Sequence, residues 1–236
     1  MRPWTILCDF DGTVSLPDAT DTLLEQCAAP QWKSIERDWR AGLIGSRDCM
    51  TRQIALIDAS QLDLDQILDT IPIDPAFAQF VSLTQDAGIT LTIVSDGLDH
   101  AISRILGNHG LGHLPIVANH LEQVGVRRWA MQSPHANATC RSQSGTCKCA
   151  LAGSHADRAN VLLIGDGQSD VCVSACADFV FAKARLLEHC RAAKVAHRPI
   201  TGFAEAIALL PDLLAGRFDH VQPLALPQIP QRIEYA

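Results

Sequence analysis

Four aspartates stand in two pairs, and each pair follows directly after a short apolar run typical of a buried strand. The pairs are Asp9 and Asp11, after Thr5–Cys8, and Asp166 and Asp170, after Val161–Ile164. In an open parallel sheet the carboxyl ends of the strands meet at one edge, where ligands bind. Carboxylates gathered there repel one another and raise each other's pKa unless a cation lies among them. Mg²⁺, with its coordination completed by phosphate and water, is the natural candidate for that cation.

The spacing of the first pair predicts separate roles for its two members. Side chains at i and i+2 of an extended segment point the same way, so Asp9 and Asp11 can face one reacting group. One carboxylate can then attack phosphorus while the other moves protons. Asp166 and Asp170 are four residues apart across a glycine turn, and both can reach a metal there. The alternative is that these aspartates are ordinary acidic residues of turns. That alternative explains less well why two such pairs each follow directly after a predicted buried strand.

The elements that would position these aspartates are short runs rich in Val and Ile that do not alternate with polar residues, as in strands covered on both faces. These runs are Thr5–Cys8, Ile89–Val94, Ile116–Ala118, Val161–Ile164 and Phe179–Phe181. Helical patterns separate them, and this alternation predicts the α/β class, with a Rossmann-like doubly wound parallel sheet. The segment Leu121–Gln132 alternates loosely around Gly125 and predicts a hairpin at a sheet edge.

One long stretch interrupts this alternation. Between Thr13 and Gly88 the pattern is helical, and we find no convincing strand. Asp74 followed by Pro75 is typical of a helix start, and Gly88 of a helix end. We predict a helical cap over 14–88, inserted into a core formed by 1–13 and 89–236. Such an insertion can close over a site as enzyme lids do.

Composition narrows the class of protein. The chain has 236 residues, a size typical of one large domain or one core with an insertion, and its net charge is −7. That charge argues against binding to nucleic acid or to an anionic membrane. No run approaches the length of a membrane span, and Asp9 comes too early for a secretory signal. The nine cysteines fit reduced thiols, so we expect a cytoplasmic protein. Its oligomeric state is not indicated.

The motifs together resemble those of the haloacid dehalogenase superfamily of phosphatases. The resemblance rests on Asp9-Phe10-Asp11-Gly12-Thr13, Ser95, Lys148 and Gly165-Asp166-Gly167-Gln168-Ser169-Asp170. The helical insertion is similar to the C1-type cap of that family, which phosphoserine phosphatase also has. The resemblance implies a Mg²⁺-dependent phosphatase that hydrolyses a small phosphorylated metabolite through an aspartyl-phosphate.

The resemblance also implies a role for each motif. It makes Asp9 the nucleophile and Asp11 the general acid and base. The implied metal ligands are Asp9, Asp11 through its backbone carbonyl, Asp166 and Asp170. The implied phosphate- and substrate-binding residues are Ser95, Asp96, Gly97 and Lys148.

A narrower resemblance is to the methionine-salvage branch of the family. It rests on Ser95-Asp96-Gly97-Leu98-Asp99, Ala118-Asn119-His120, Cys147-Lys148-Cys149 and Phe181-Ala182-Lys183. This branch implies an enol or diketo phosphate substrate with a methylthio tail. The phosphoserine phosphatase pattern has Gly where this chain has Asp96, which argues against phosphoserine. A phosphoserine-like, sugar or polyol phosphatase remains the alternative.

The sequence leaves the roles of several side chains open. Either His135, Cys140, Cys147 and Cys149 hold zinc together, or the three cysteines are plain reduced thiols. Met50 either contacts an apolar substrate tail or packs in the cap core. At least one of the acidic residues that open the insertion should face the site; these are Asp18, Asp21 and Glu25.

Two further classes of protein fit the sequence less well. A receiver module, the non-enzyme candidate, would lack such an insertion. A dehalogenase on the same fold would need neither a metal nor the second carboxylate of the first pair.

Overall fold

A computed structural model describes residues 2–155 and 158–218. Within them one sheet contains seven strands. These are β1 Trp4–Cys8, β2 Thr90–Leu98, β3 Ile116–Gly125, β4 Arg128–Gln132, β5 Asn160–Gly165, β6 Phe179–Ala182 and β7 His197–Pro199. Their order across the sheet is β4-β3-β2-β1-β5-β6-β7, and only the β3–β4 pair is antiparallel. The predicted parallel sheet and its edge hairpin are confirmed.

Helices cover the sheet and form the insertion. They are α1 Ala19–Cys27, α2 Trp32–Arg40, α3 Ser46–Ile54, α4 Gln61–Leu68, α5 Phe77–Asp86, α6 Asp99–Asn108, α7 Lys148–His155, α8 Val171–Ser174, α9 Ala184–Ala193 and α10 Phe203–Leu214. The first five lie between β1 and β2. Among the described residues, no helix has the length and apolar character needed to cross a membrane.

The central strand β1 shows why both faces of the sheet are covered. Ile6 and Cys8 point into one buried cluster, which also includes residues of α5, α6 and α10. Leu7 points into a second cluster on the other face, with residues of α7, α8 and α9. Alternate side chains of an extended strand face opposite sides, so a run that is apolar at every position needs two cores. The doubly wound arrangement is therefore confirmed.

Helix α5 joins the predicted insertion to the sheet. Phe77 and Phe80 of α5 pack against Phe203 of α10, with ring centroids 4.7 and 5.2 Å apart. Asp74 accepts hydrogen bonds from the backbone N–H of Ala76 and of Phe203, so the start of α5 is tied to the start of α10. The C-terminal helix of the predicted insertion, α5, therefore packs against the core through α10.

Helix α3 rests on β4 of the β3–β4 hairpin and helix α4 rests on α6. Trp129 of β4 donates from Nε1 to the carbonyl of Ala59, at 2.9 Å. Arg104 of α6 donates from Nε and Nη2 to the two carboxylate oxygens of Asp69, at 2.6 and 2.7 Å. These contacts hold one side of the insertion against the core and leave its other side over the carboxyl ends of β1, β2 and β5.

Apart from shifts of one residue, the strands differ from the predicted ones in three places. β3 runs without a break from Ile116 to Gly125, so it joins the predicted strand Ile116–Ala118 to the start of the predicted hairpin. β2 continues through Ser95-Asp96-Gly97 to Leu98, with an irregular register against β3 after Val94. β7 is absent from the predicted strands, because His197–Pro199 is three residues long and contains no apolar run. The Pro-rich tail from Val221, for which the sequence predicts an extended conformation, lies outside the described residues.

Candidate active site

The carboxyl ends of β1 and β5 bring three of the four motif aspartates together. β1 ends at Cys8, and the backbone N–H of Asp9 donates to Ile164 of β5 at 2.9 Å, which fixes the two strand ends side by side. One carboxylate oxygen from each of Asp9, Asp166 and Asp170 lies within 4.8 Å of the other two. Within residues 2–155 and 158–218, this is the only group of three or more metal-ligating side chains so close together.

Lys148 lies against this cluster of three carboxylates. Its Nζ is 2.6 Å from Oδ1 of Asp9, 2.7 Å from Oδ1 of Asp170 and 3.2 Å from Oγ of Ser169. The lysine side chain is 3% exposed. Burial alone would lower the pKa of Lys148, but the charges of Asp170 and Asp9 raise it above its ordinary value. The lysine therefore stays charged and is the cation beside these carboxylates.

One lysine does not neutralise three carboxylates. Burial, followed by the charge of Asp170, raises the pKa of Asp9 and of Asp166. Thr13 donates from Oγ1 to Oδ1 of Asp166 at 3.0 Å, which holds that carboxylate toward the group. Hard oxygen donors with excess negative charge fit Mg²⁺, which prefers carboxylates completed by water and phosphate. The donor set of this site thus fits the predicted ion.

Asp11 lies apart from the carboxylate group, toward the insertion. Its Oδ1 accepts from the backbone N–H of Ala19 at the start of α1, at 2.7 Å. Its Oδ2 is 3.4 Å from Oγ of Ser95. Removal from water, followed by the charge of Asp18, raises the pKa of Asp11 above its ordinary value. A carboxyl group that retains its proton more readily is suited to protonate a leaving group.

Two glycines allow these side chains to approach. Gly12 has a φ of +72°, and a Cβ there would lie 2.6 Å from Oδ2 of Asp166. A Cβ on Gly97 would lie 2.5 Å from Oδ2 of Asp11 and 3.0 Å from Oγ of Ser95. The backbone N–H of Gly97 also donates to Oγ of Ser95, at 2.9 Å, and orients that hydroxyl.

Asp96 is bound on both carboxylate oxygens by groups of the protein itself. Oδ1 accepts from the backbone N–H of Gly145 at 2.9 Å and of Thr146 at 3.0 Å. Oδ2 accepts from Oγ of Ser46 in the insertion, at 2.7 Å. The structure thus places Asp96 between the insertion and the segment that leads to Lys148.

A cavity of about 1160 Å³ opens over the strand ends, between the core and the insertion. Its apolar lining includes Trp39, Ile44 and Met50. Helical periodicity gives Trp39 of α2 the position of a cap-core residue, but its half-buried side chain lines this cavity, because periodicity identifies an apolar face and not what covers it. The charged lining residues include Asp18, Asp21, Glu36 and Arg141.

Two contributors to the site have no role assigned from the sequence. Thr13 orients Asp166, and Lys183 donates from Nζ to the backbone carbonyl of Gly12, at 2.9 Å. Both residues belong to motifs identified in the sequence, so the sequence could have indicated that they lie at the site. Arg141 carries no such signal, because its neighbours form no recognisable pattern.

The four side chains considered for zinc do not assemble as one site. His135 is exposed, and its backbone carbonyl accepts from the N–H of Cys147 at 3.0 Å. The thiol of Cys149 instead interacts with the thiols of Cys172 and Cys176, which raises the pKa of Cys149 and lowers those of the other two. All nine cysteines are free thiols in the structure.

Comparison with known proteins agrees with this geometry. The haloacid dehalogenase-like hydrolase family matches residues 6–174, which include all four motifs. The chain belongs to this family of hydrolases. A curated relative from Geobacillus thermodenitrificans (strain NG80-2) is 29% identical over 207 residues, covering 86% of this chain and 93% of its own. It is named 2-hydroxy-3-keto-5-methylthiopentenyl-1-phosphate phosphatase. A relative of the same name from Brevibacillus brevis (strain 47 / JCM 6285 / NBRC 100599) is 26% identical over 208 residues, covering 87% of this chain and 94% of its own.

Solved structures show the same fold. A phospho-aspartyl intermediate analogue of phosphoserine phosphatase superposes with a TM-score of 0.68 at 17% identity, covering 88% of this chain and 99% of its own. A substrate-bound phosphoserine phosphatase complex gives a TM-score of 0.67, also at 17% identity, covering 88% of this chain and 98% of its own. At this identity the likeness concerns the fold alone.

Proposed function

We propose that this protein is a Mg²⁺-dependent phosphomonoesterase that hydrolyses a small phosphorylated metabolite through an aspartyl-phosphate on Asp9. The observation that carries the proposal is the convergence of Asp9, Asp166, Asp170 and Lys148 at the strand ends. Asp11, beside Ser95 on the cavity side of the same edge, adds a proton carrier. Membership in a hydrolase family supports the same reaction class.

In this mechanism Asp9 attacks phosphorus through a carboxylate oxygen, and the bond from phosphorus to the ester oxygen breaks. Asp11 gives its proton to the departing oxygen. Water then attacks the aspartyl-phosphate, Asp11 takes a proton from that water, and inorganic phosphate leaves while Asp9 is regenerated. Positioning and charge stabilisation do most of the work in phosphoryl transfer. Ser95 and Lys148 hold phosphoryl oxygens and offset their charge.

Mg²⁺ would be held by the carboxylates of Asp9 and Asp166 and the backbone carbonyl of Asp11, with Asp170 binding it or its waters. When bound, this ion supplies positive charge that lowers the repulsion between the phosphoryl group and the carboxylates. Thr13 keeps Asp166 oriented for that role.

The substrate we favour is 2-hydroxy-3-keto-5-methylthiopentenyl-1-phosphate. The two curated relatives described above are named as that phosphatase, and this chain matches them over most of their length. The cavity is large enough for a small metabolite, and Trp39, Ile44 and Met50 offer an apolar wall for a methylthio tail. Burial of such a tail would contribute roughly 25 cal/mol per Å² of apolar surface removed from water.

Phosphoserine is the second candidate substrate, and a specific observation favours it. Asp18 and Asp21 line the cavity near Asp11, and carboxylates there could bind a substrate ammonium group. Phosphoserine has such a group, whereas the methylthio substrate does not.

The test is phosphate release from a panel that contains the methylthio phosphate, phosphoserine and simple sugar phosphates, with Mg²⁺ and with EDTA. We expect turnover of the methylthio phosphate to exceed that of phosphoserine and to stop in EDTA. Asp9→Asn should abolish turnover and leave the fold intact, whereas Asp48→Asn, at a surface ion pair with Arg52, should not change it. Phosphate release from Asp9→Asn at the wild-type rate would refute the reaction class. A preference for phosphoserine would refute only the substrate.

A further inference from the structure

We propose that Asp96 is a positioning residue that fastens the insertion to the loop that leads into Lys148, instead of binding the substrate. This loop, residues 140–147, is called the lysine loop here because it leads directly into Lys148 at the start of α7. The inference rests on the proposed function for its kinetic consequences, and on contacts alone for its structural ones.

On the core side, Asp96 holds the end of the lysine loop by its backbone. The N–H groups of Gly145 and Thr146 both donate to Oδ1 of Asp96, at 2.9 and 3.0 Å. Asn119 of β3 donates to the backbone carbonyl of Asp96 at 2.6 Å, so the strand end itself is fixed. A Cβ on Gly145 would collide with Oδ1 of Asn119, which shows how closely the loop is seated. Lys148 follows two residues after Thr146.

On the other side, Asp96 binds the first residue of α3. Oγ of Ser46 donates to Oδ2 of Asp96 at 2.7 Å. The next N–H, of Arg47, donates to the carbonyl of Gln143 in the lysine loop, at 3.0 Å. The insertion therefore meets the core through Asp96 and the lysine loop together, and Asp96 and residues 141–144 of that loop line the cavity.

The charge of Asp96 is also wrong for a phosphate ligand. A carboxylate near a phosphoryl group repels it, and the repulsion grows as water is excluded. Donors from the protein on both oxygens make the carboxylate a suitable joint between two backbone segments, because hydrogen bonds to a charged acceptor are stronger than neutral ones. Since these segments carry Lys148 and the cavity lining, the joint sets the geometry of both.

Three variants separate this role from direct substrate binding. Asp96→Ala removes both sets of bonds, and we expect kcat to fall at least tenfold with a rise in KM, since a lost positioning contact of about 1.4 kcal/mol gives that factor. Asp96→Asn can still accept from both backbone N–H groups and can donate to Ser46, so it should restore most of kcat. Ser46→Ala removes only the contact with the insertion and should raise KM with kcat within about twofold.

The same variants should behave alike on p-nitrophenyl phosphate, which shares only its phosphate group with the natural substrate. Loss of activity confined to the natural substrate, or an Asp96→Asn variant as impaired as Asp96→Ala, would overturn the proposal. The double variant of Asp96→Ala with Ser46→Ala should be no worse than Asp96→Ala, because both changes break one joint. Additive losses would also overturn it.

A measurement that does not depend on activity keeps the two proposals distinguishable. Ser46→Ala should accelerate amide hydrogen exchange in residues 44–50 and in the lysine loop, as local opening becomes easier. Ser60→Ala, which removes a hydroxyl from the start of α4, is the matched control and should leave the lysine loop unchanged. If the amide hydrogens of the lysine loop exchange at the same rate in Ser46→Ala as in the wild type, the proposed role of Asp96 is refuted. If the wild-type protein hydrolyses no phosphate ester, the proposed function fails while this measurement still decides the role of Asp96.

Discussion

Lys148 and Asp170 form an ion pair 2.7 Å long, and their side chains are 3% and 0% exposed. The lysine begins α7, and the aspartate ends the turn that precedes α8. Both helices lie on the same face of the sheet, so the pair joins them beside the carboxylates of Asp9 and Asp166. A buried ion pair of this kind is costly to break, because the partner left behind remains charged and removed from water.

Replacement of the lysine should therefore affect stability as well as catalysis. In Lys148→Met, Asp9 and Asp170 lose their shared cation, and we expect the free energy of unfolding to fall by about 3 kcal/mol. Added Mg²⁺ should recover part of this loss. Urea denaturation with and without Mg²⁺ measures both effects. Lys33→Met, at an exposed position of α2, is the matched control and should change stability by less than about 1 kcal/mol. Equal stability of Lys148→Met and wild-type protein would contradict the pairing.

A methyl group at Gly97 should disturb the site directly. The Cβ of Gly97→Ala would lie 2.5 Å from Oδ2 of Asp11 and 3.0 Å from Oγ of Ser95, so one of them must move. We expect kcat to fall at least tenfold and stability to fall by about 1–3 kcal/mol, as for other overpacked positions. Gly107→Ala in α6 is the control, because nothing lies within 4 Å of its Cβ. It should gain about 0.5–1 kcal/mol. Wild-type kinetics in Gly97→Ala would show that the site has more room than the structure indicates.

Asp21 should make stability depend on pH in a definite window. Partial removal from water at the cavity wall, followed by the charge of Asp18, raises the pKa of Asp21 from 3.8 to about 6. Because the folded protein binds this proton more tightly than the unfolded chain, the contribution is complete below about pH 4 and is lost as pH rises through about 6. The Tm advantage of Asp21→Asn over wild type should therefore grow between these pH values and level off above them. Thermal denaturation from pH 4 to 8 measures this difference, and a constant difference would contradict the raised pKa.

Cys176, which follows α8, and Cys49 of α3 should differ in reactivity. A hydrogen bond from Cys149 lowers the pKa of Cys176 to about 7, whereas burial raises that of Cys49 to about 12. Alkylation with iodoacetamide at pH 7, followed by peptide mass spectrometry, should label Cys176 well before Cys49. Cys149→Ala removes the hydrogen bond and should slow labelling of Cys176 about sixfold, since fewer thiolates are partly offset by higher intrinsic nucleophilicity. Labelling at an unchanged rate would show that Cys149 does not act on Cys176.

The parts of the fold that could be predicted are those with a local cause. The core strands are continuous apolar runs, and Asp9 and Asp166 stand immediately after two of them, so their meeting follows from the geometry of a parallel sheet. The end of α5 was equally local, because Gly88 supplies the φ of +69° that a helix end requires. In these cases the deciding interaction lies within a few residues of the sequence feature.

The parts that could not be predicted depend on distant contacts. Asp96 is held by Ser46, 50 residues earlier, and by Thr146, 50 residues later. No local pattern records either partner, so its sequence context suggested a ligand for the substrate. Trp39 shows the same limit, because an apolar stripe on a helix looks alike whether it faces a core or a cavity.

The pairing of β1 also bears on how the chain is made. Thr5 pairs with Thr90 on one side and with Val161 on the other. As the polypeptide leaves the ribosome, its first strand must therefore wait for both neighbours until about two thirds of the chain has been synthesised. Assembly of such distant segments is slow and leaves apolar surface open for longer. We expect the nascent chain to need chaperone protection over this interval.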